Sequence, residues 1–214
     1  MKDLAIIFDL DGTLLNTNKL IIETFRHTFK KYKPGYTLSD EELLTFLGPS
    51  LNETFSKYFL KEDINEIIDY YRDFNHSHHE DYVTVYPTVL DTIDYLYEEG
   101  YPLGIVTTKL KEAAYIGLDM YDLRKYFKVI IGGEDVSKSK PDPEGINSAL
   151  SKLNTSKAVY VGDNVTDILA GKNANVYTIG VGWSPKGSQD LIDLKPSKML
   201  NQMEDIIEFI KEVD

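Results

Sequence analysis

Two aspartates follow a short apolar run near the start of the chain. The run Ile6-Ile7-Phe8 ends at Asp9, and Asp11 comes two positions later, directly before Gly12. Burying a carboxylate costs several kcal/mol unless it is paired with a cation or bound to a metal. Two carboxylates so close together also repel each other, so the pair brings no gain to the fold itself. The sequence therefore predicts a cation between Asp9 and Asp11.

Three later apolar runs also end in polar residues that can take part in chemistry. The runs, each with the residues after it, are Leu103–Val106 with Thr107, Lys128–Ile131 with Lys140, and Ala158–Val161 with Asp163 and Asp167. If these runs are parallel strands of one sheet, their carboxyl ends meet at one crevice. We therefore expect the polar residues to lie together in the folded protein, although they are far apart in the chain.

The candidate residues are mainly carboxylates, without cysteine or histidine in the same motifs. Such a set favours a hard cation, and Mg²⁺ is the usual one. Beside the ion, one carboxylate can attack a phosphoryl group, while a second can donate a proton to the leaving group and later accept one from water. Lys140 and the hydroxyl of Thr107 can supply the charge and the donor that phosphoryl oxygens need. The residue types therefore predict metal-dependent phosphoryl transfer.

The elements that must position these residues form a strand–helix alternation. A fifth strand is expected at Val176–Val181, and helical patterns occur at 87–99, 143–153 and 165–174. The apolar runs are continuous rather than alternating, which is typical of strands with helices on both faces. The pattern predicts an α/β fold with a doubly wound, mostly parallel sheet.

Residues 16–82 interrupt this alternation with helices alone. Helices are predicted at 19–32, 39–46, 50–59 and 63–82, and Ser39 with Glu42 and Ser50 with Glu53 fit capping boxes. We therefore expect a core domain made of residues 1–15 and 83–214, with a small helical domain, residues 16–82, inserted after the first strand. An insertion at this point would lie over the crevice where α/β proteins bind ligands.

The composition narrows the class of partner. The chain has 214 residues, with 23 Lys and Arg against 35 Asp and Glu, and its net charge of −12 disfavours nucleic acid. The absence of cysteine excludes disulfides, thiolate metal sites and cysteine nucleophiles. The N-terminal apolar run is too short for a signal peptide or a membrane span. We therefore expect a cytoplasmic protein that acts on a small molecule and has no membrane partner.

The motifs, taken together, resemble those of the haloacid dehalogenase superfamily. They are Asp9-x-Asp11-Gly-Thr, Thr107 at a strand end, Lys140-Pro-Asp-Pro and Gly-Asp163-x-x-x-Asp167, in that order. The resemblance implies a helical cap domain and a phosphohydrolase with Asp9 as the nucleophile that becomes an aspartyl-phosphate and Asp11 as the acid and base. It also implies a Mg²⁺ site formed by Asp9, Asp11, Asp163 and Asp167, with Asp167 acting through water or Lys140. Dehalogenases of the superfamily lack the second acid, so Asp11 favours phosphoryl transfer.

Longer segments are similar to the PpaX-type pyrophosphatases of Gram-positive bacteria. The segments include FDLDGTLLNTN, GPSLNETF and DFNHSHHEDYVTVY. Phosphoglycolate phosphatases share the catalytic motifs but commonly carry a basic residue after a glycine of the cap, where this chain has Gly48-Pro49-Ser50. The resemblance therefore favours inorganic pyrophosphate. The alternatives are phosphoglycolate or another small phosphomonoester, a phosphomutase reaction, and a binding protein without catalysis.

His76, His78 and His79 form a cluster on one predicted helix. These side chains could bind a metal, or they could line the substrate cleft from the inserted segment. The sequence leaves the choice open.

Overall fold

The computed structural model, which describes residues 2–60 and 63–214, contains a six-stranded parallel sheet. The strands of the described residues are, in chain order, β1 (Leu4–Phe8), β2 (Leu15–Asn16), β3 (Thr84–Val85), β4 (Leu103–Val106), β5 (Val129–Ile131), β6 (Lys157–Gly162), β7 (Tyr177–Val181) and β8 (Lys198–Leu200). Of these, β2 and β3 form a separate two-stranded sheet. The order across the sheet is β5-β4-β1-β6-β7-β8. The predicted α/β fold with a parallel sheet is confirmed. The strand β8 at the sheet edge was not predicted.

The helices of the described residues fall into two groups: the first five follow one another between β2 and β3, and the other six alternate with strands of the six-stranded sheet. They are α1 (Asn18–Tyr32), α2 (Asp40–Thr45), α3 (Leu51–Tyr58), α4 (Ile64–Ser77), α5 (His79–Tyr82), α6 (Val89–Glu98), α7 (Lys111–Met120), α8 (Glu144–Leu153), α9 (Val165–Asn173), α10 (Gln189–Asp193) and α11 (Ile206–Val213). The single helix predicted over 63–82 is two helices, because the backbone leaves helical geometry at His78. No helix in the described part of the chain has the length and apolar composition needed to span a membrane.

The side chains of β1 point alternately into two apolar clusters, one on each face of the sheet. Ile6 and Phe8 pack against residues of α6, α7 and α11 on one face. Ala5 and Ile7 pack against residues of α8 and α9 on the other face. Helices therefore cover both faces, which explains why β1 is apolar at every position.

The register of the strands aligns their carboxyl ends. Phe8 of β1 is paired with Ile105 of β4 and Val161 of β6. The backbone amide of Asp9 donates to the carbonyl oxygen of Val161 (2.8 Å), and that of Thr107 donates to Ile131 (3.0 Å). The residues after β1, β4 and β6 therefore lie side by side at the carboxyl end of the sheet.

The helical segment, residues 16–82, has an apolar cluster of its own. Its buried aromatic side chains are Phe25, Phe29, Phe46, Phe55, Phe59 and Tyr71, and the rings of Phe25 and Phe46 are 4.7 Å apart. The capping box at Ser39 is confirmed, and Ser50 accepts a hydrogen bond from the amide of Glu53 (3.2 Å). The chain enters and leaves this segment through β2 and β3, which pair antiparallel and were not predicted.

Candidate active site

The ammonium group of Lys140 lies between two buried carboxylates. Its Nζ is 2.7 Å from Oδ1 of Asp9 and 2.6 Å from Oδ1 of Asp167. Burial opposes the charge on this lysine, but the two carboxylates raise its pKa well above the usual value. Lys140 therefore stays protonated and holds two negative groups close together.

Asp9, Asp163 and Asp167 form a cluster of acids at the carboxyl ends of β1 and β6. Each contributes one carboxylate oxygen, and these oxygens lie within 4.8 Å of one another. Burial, followed by the charge of Asp167, raises the pKa of Asp163 to about 7. Burial also raises the pKa of Asp9 well above its usual value, although Lys140 opposes this shift. One ammonium does not balance three carboxylates, so the cluster retains an affinity for a further cation.

Gly12 allows Asp163 to approach the loop after β1. Its φ angle is +83°, in the left-handed region that favours glycine, and a Cβ atom built here would lie 2.4 Å from Oδ2 of Asp163. The carbonyl oxygen of Gly12 accepts a hydrogen bond from Nε1 of Trp183 (3.1 Å). A side chain at position 12 would therefore displace a carboxylate of the cluster.

The carboxylate of Asp11 is paired with Lys109, outside the cluster of three acids. Nζ of Lys109 is 2.8 Å from Oδ1 of Asp11. Burial alone would raise the pKa of the Asp11 carboxyl, but the charge and hydrogen bond of Lys109 hold this pKa below its usual value. Asp11 is therefore ionised in the free protein. Sequence reasoning assigned no role to Lys109, and its place two residues after the strand-end Thr107 is the only signal it offers.

The hydroxyl of Thr107 is positioned to donate into the site. Its Oγ1 accepts a hydrogen bond from the backbone amide of Lys109 (3.2 Å), and the residue is buried. Because a hydroxyl is both donor and acceptor, this contact leaves the O–H free to donate. Thr107 can therefore bind an oxygen of a ligand held at Asp9.

The carboxylate of Asp167 accepts hydrogen bonds from three groups. In addition to Lys140, the hydroxyl of Tyr160 donates to its Oδ1 (3.2 Å) and the backbone amide of Asn164 donates to its Oδ2 (3.0 Å). The second bond belongs to the capping box at the start of α9. These contacts hold the Asp167 carboxylate against the Lys140 ammonium.

A cavity of about 300 Å³ lies in front of these residues. All of the site residues predicted from the sequence line it, namely Asp9, Asp11, Thr107, Lys140, Asp163 and Asp167. The opposite wall comes from the helical segment and includes residues 48–52 and one face of α4. The structure therefore brings the predicted residues together and encloses the space in front of them.

The three histidines have different positions. His76 lines the cavity. His79 is buried, with its Nδ1 2.8 Å from the carbonyl oxygen of Asn75, and burial lowers its pKa to about 4. His78 stacks on Phe74, with ring centroids 3.9 Å apart. None of them belongs to the group of possible metal ligands found among the described residues.

The loop between α2 and α3 lines the cavity and directly contacts the residues that follow β4 and β6. Nδ2 of Asn164 donates to the carbonyl oxygen of Leu47 (3.1 Å), and the hydroxyl of Thr108 donates to the carbonyl oxygen of Gly48 (3.3 Å). Gly48 has a φ angle of +104°, and a Cβ atom there would lie 2.1 Å from Nδ2 of Asn164. The contact therefore requires glycine at position 48.

Comparisons with known proteins agree with the fold and the motifs. The family model of haloacid dehalogenase-like hydrolases matches residues 6–181. A protein named pyrophosphatase PpaX from Listeria monocytogenes is 45% identical over 99% of this chain and 98% of its own length. A protein of the same name from Bacillus pumilus is 47% identical over 96% of this chain and 95% of its own length. A haloacid dehalogenase-like hydrolase from Streptococcus pneumoniae has a solved structure with a TM-score of 0.85 and 25% identity, over 98% of this chain and 100% of its own. The chain therefore belongs to the haloacid dehalogenase-like hydrolase family.

Proposed function

We propose that the protein is a Mg²⁺-dependent phosphohydrolase that forms an aspartyl-phosphate on Asp9 and hydrolyses inorganic pyrophosphate. The observation that carries the proposal is the placement of the Asp9 carboxylate at the cavity wall, 2.7 Å from the Lys140 ammonium and beside Asp163. The relatives named pyrophosphatase, at 45% and 47% identity, support the substrate.

The acid cluster fits a hard divalent cation. Its donors are carboxylate oxygens that lie within 4.8 Å of one another, and burial, together with the charges of the neighbouring acids, raises the pKa values of Asp9 and Asp163. We propose that Asp9 and Asp163 hold Mg²⁺, with Asp167 in support through Lys140. The carboxylate of Asp11 is turned toward Lys109 and takes no part in this donor set. When bound, Mg²⁺ supplies positive charge beside the oxygens of the phosphoryl group.

The first half of the proposed reaction transfers the phosphoryl group to Asp9. A carboxylate oxygen of Asp9 attacks phosphorus, and the bond from phosphorus to the leaving oxygen breaks with its electron pair on that oxygen. The Lys140 ammonium and the Thr107 hydroxyl bind phosphoryl oxygens while this occurs. With pyrophosphate, the leaving group is phosphate, which needs little protonation.

The second half returns Asp9 to its carboxylate form. A water molecule attacks the phosphorus atom, its proton passes to Asp11, and the bond from phosphorus to Asp9 breaks, so that phosphate is released. Lys109 holds the pKa of Asp11 low, so at neutral pH the carboxylate is ionised and able to accept a proton, and it seldom carries a proton to donate. An ionised Asp11 favours a substrate whose leaving group can depart without first receiving a proton.

We propose that residues 16–82 act as a cap domain on a core made of residues 1–15 and 83–214. The separate aromatic cluster of the segment and its loop contacts at Leu47 and Gly48 support this division. A closed cap would exclude water from the aspartyl-phosphate until hydrolysis. The net charge of −12 argues against nucleic acid as the partner, which leaves a small phosphorylated molecule as the proposed one.

A phosphomonoester such as phosphoglycolate is the second candidate substrate. Phe46 and Leu51 line the cavity and could contact an organic group. Rates with pyrophosphate, phosphoglycolate, sugar phosphates and p-nitrophenyl phosphate, each with and without Mg²⁺, test the proposal. We expect the highest kcat/KM with pyrophosphate and little turnover without Mg²⁺. A higher kcat/KM with phosphoglycolate would contradict the proposed substrate.

Replacing the nucleophile should abolish turnover. We expect Asp9→Asn to remove activity toward every substrate, because an amide is a poor nucleophile and the metal site loses a charge. Steady-state rates and far-UV circular dichroism measure activity and folding, with the exposed Asp190→Asn as the matched control. If a folded Asp9→Asn protein keeps more than about a tenth of the wild-type kcat, a loss of no more than about 1.4 kcal/mol, Asp9 is not the nucleophile.

The effect of Asp11→Asn should depend on the leaving group. An alkyl alcohol needs a proton to depart, whereas p-nitrophenol is already acidic, so the loss of kcat should be larger with phosphoglycolate than with p-nitrophenyl phosphate. The ratio of the two losses, measured at one pH and saturating Mg²⁺, is the readout. Equal losses with both substrates would argue against proton donation by Asp11 to the leaving group.

The stability of the metal-free protein should depend on the charge of Asp163. Its pKa is raised to about 7 in the folded state, so between about pH 4 and 7 the folded state holds a proton that the unfolded state lacks, and stability falls as pH rises. The effect is at most about 4 kcal/mol, from the difference between a pKa of about 7 and the usual 3.8. We therefore expect metal-free Asp163→Asn to melt above the wild type at pH 8, with the difference shrinking toward pH 5.

Mg²⁺ supplies the control for this measurement. It should raise the melting temperature of the wild type at pH 8 and have a smaller effect on Asp163→Asn, since binding to the folded state stabilises it. If the two melting temperatures differ by the same amount at pH 5 and pH 8, or if Mg²⁺ raises both equally, then Asp163 is not a carboxylate of the metal site with a raised pKa.

A further inference from the structure

One face of α4 forms a wall of the cavity. Five residues of this helix line the cavity: Ile68, Tyr71, Arg72, Asn75 and His76. Their positions (68, 71 and 72, 75 and 76) recur every three or four residues, as on one side of a helix. Because Asp9 and Lys140 line the same cavity from the sheet, a ligand held at Asp9 has α4 on its other side.

The cations around the cavity differ in how well they are neutralised. Lys140 is within 2.7 Å of two carboxylates, and Lys109 is 2.8 Å from Asp11. Arg72 has a longer contact, 3.4 Å, to Asp69, and the side chains of these two residues are 36% and 73% exposed. An ion pair this open to water is weak. Among the cavity-lining lysine and arginine side chains that the structure describes, the charge of Arg72 is therefore the least neutralised, and Arg72 offers the most N–H donors to a ligand.

A pyrophosphate bound at Asp9 would place its second phosphate away from the acid cluster. The cavity beyond the cluster is lined in part by apolar side chains, including Ile21, Phe25 and Phe46. A phosphate with about two negative charges is poorly solvated there unless a cation meets it. A guanidinium group suits this task because two of its N–H groups can bind two phosphate oxygens at once.

We propose that Arg72 is a specificity-determining residue that binds the phosphate of pyrophosphate that is not transferred to Asp9. The inference rests on the proposed function, since it concerns the same cavity and the same substrate. It assigns recognition of the second phosphate to α4 of the helical segment. It also explains how the cavity can prefer a diphosphate without a basic residue after Gly48.

The test compares two anions that do not react. Imidodiphosphate has both phosphates of pyrophosphate, whereas inorganic phosphate fills the transfer position alone. Their dissociation constants are measured by calorimetry with saturating Mg²⁺ for the wild type, Arg72→Gln and Arg26→Gln. Arg26 is the matched control because it lies on α1 of the same segment, away from the cavity, and pairs with Glu23 and Asp40.

Arg72→Gln should raise the dissociation constant of imidodiphosphate at least tenfold and change that of phosphate less than twofold. Arg72→Lys should recover part of the loss, because it restores the charge without the paired donors. Arg26→Gln should bind both anions as the wild type does. An unchanged affinity for imidodiphosphate in Arg72→Gln, or an equal loss for both anions, would overturn the proposal. A wild type that binds imidodiphosphate through Arg72 but does not hydrolyse pyrophosphate would overturn the proposed reaction alone.

Discussion

The salt bridge of Lys140 to Asp9 and Asp167 is the interaction on which the rest of the site depends. Two buried carboxylates share one buried ammonium, and Asp163 adds a third negative charge within 4.8 Å of the other two acids. A buried charge cluster of this kind contributes little to stability, because the desolvation of the ions offsets their attraction. In the proposed reaction its value lies in chemistry, because the proposed nucleophile Asp9, the Lys140 ammonium and the proposed metal site lie at one place.

The surrounding structure holds this unfavourable arrangement in place. The apolar β1 carries Asp9 to the carboxyl end of the sheet, and helices pack against both faces of the strand. Gly12 leaves room for Asp163, while Tyr160 and the first turn of α9 fix Asp167. The helical segment then covers the cluster and is held down at Leu47 and Gly48. The side chains of Asp9, Asp163 and Asp167 are buried, which strengthens each charge–charge interaction.

The residues with strong local signals were predictable from the sequence. The apolar runs identify the strands, and carboxylates at strand ends are costly enough to indicate a function. The parallel sheet then places Asp9, Thr107 and Asp163 together, as the register of β1, β4 and β6 shows. The helical segment was also predictable, because its helices carry clear apolar faces and the capping box at Ser39.

Other features depend on contacts between distant residues and leave no local pattern. Lys109 looks like an ordinary polar residue until the fold places it 2.8 Å from Asp11. The pairing of β2 with β3 joins very short segments on either side of the helical segment. The face of α4 that carries Arg72 depends on the packing of α4 against α1 and α3, which helical periodicity alone does not determine, and periodicity did not predict the break at His78.

The identity of the residue that becomes phosphorylated tests the central claim most directly. The wild type is mixed with pyrophosphate and Mg²⁺, quenched with acid during turnover and treated with borohydride, which reduces an aspartyl-phosphate to homoserine. Peptide mass spectrometry then locates the modified residue. The account predicts homoserine at position 9, dependent on both substrate and Mg²⁺. Homoserine at position 11 or 163, or unmodified Asp9 in a sample quenched while phosphate is being released, would contradict it.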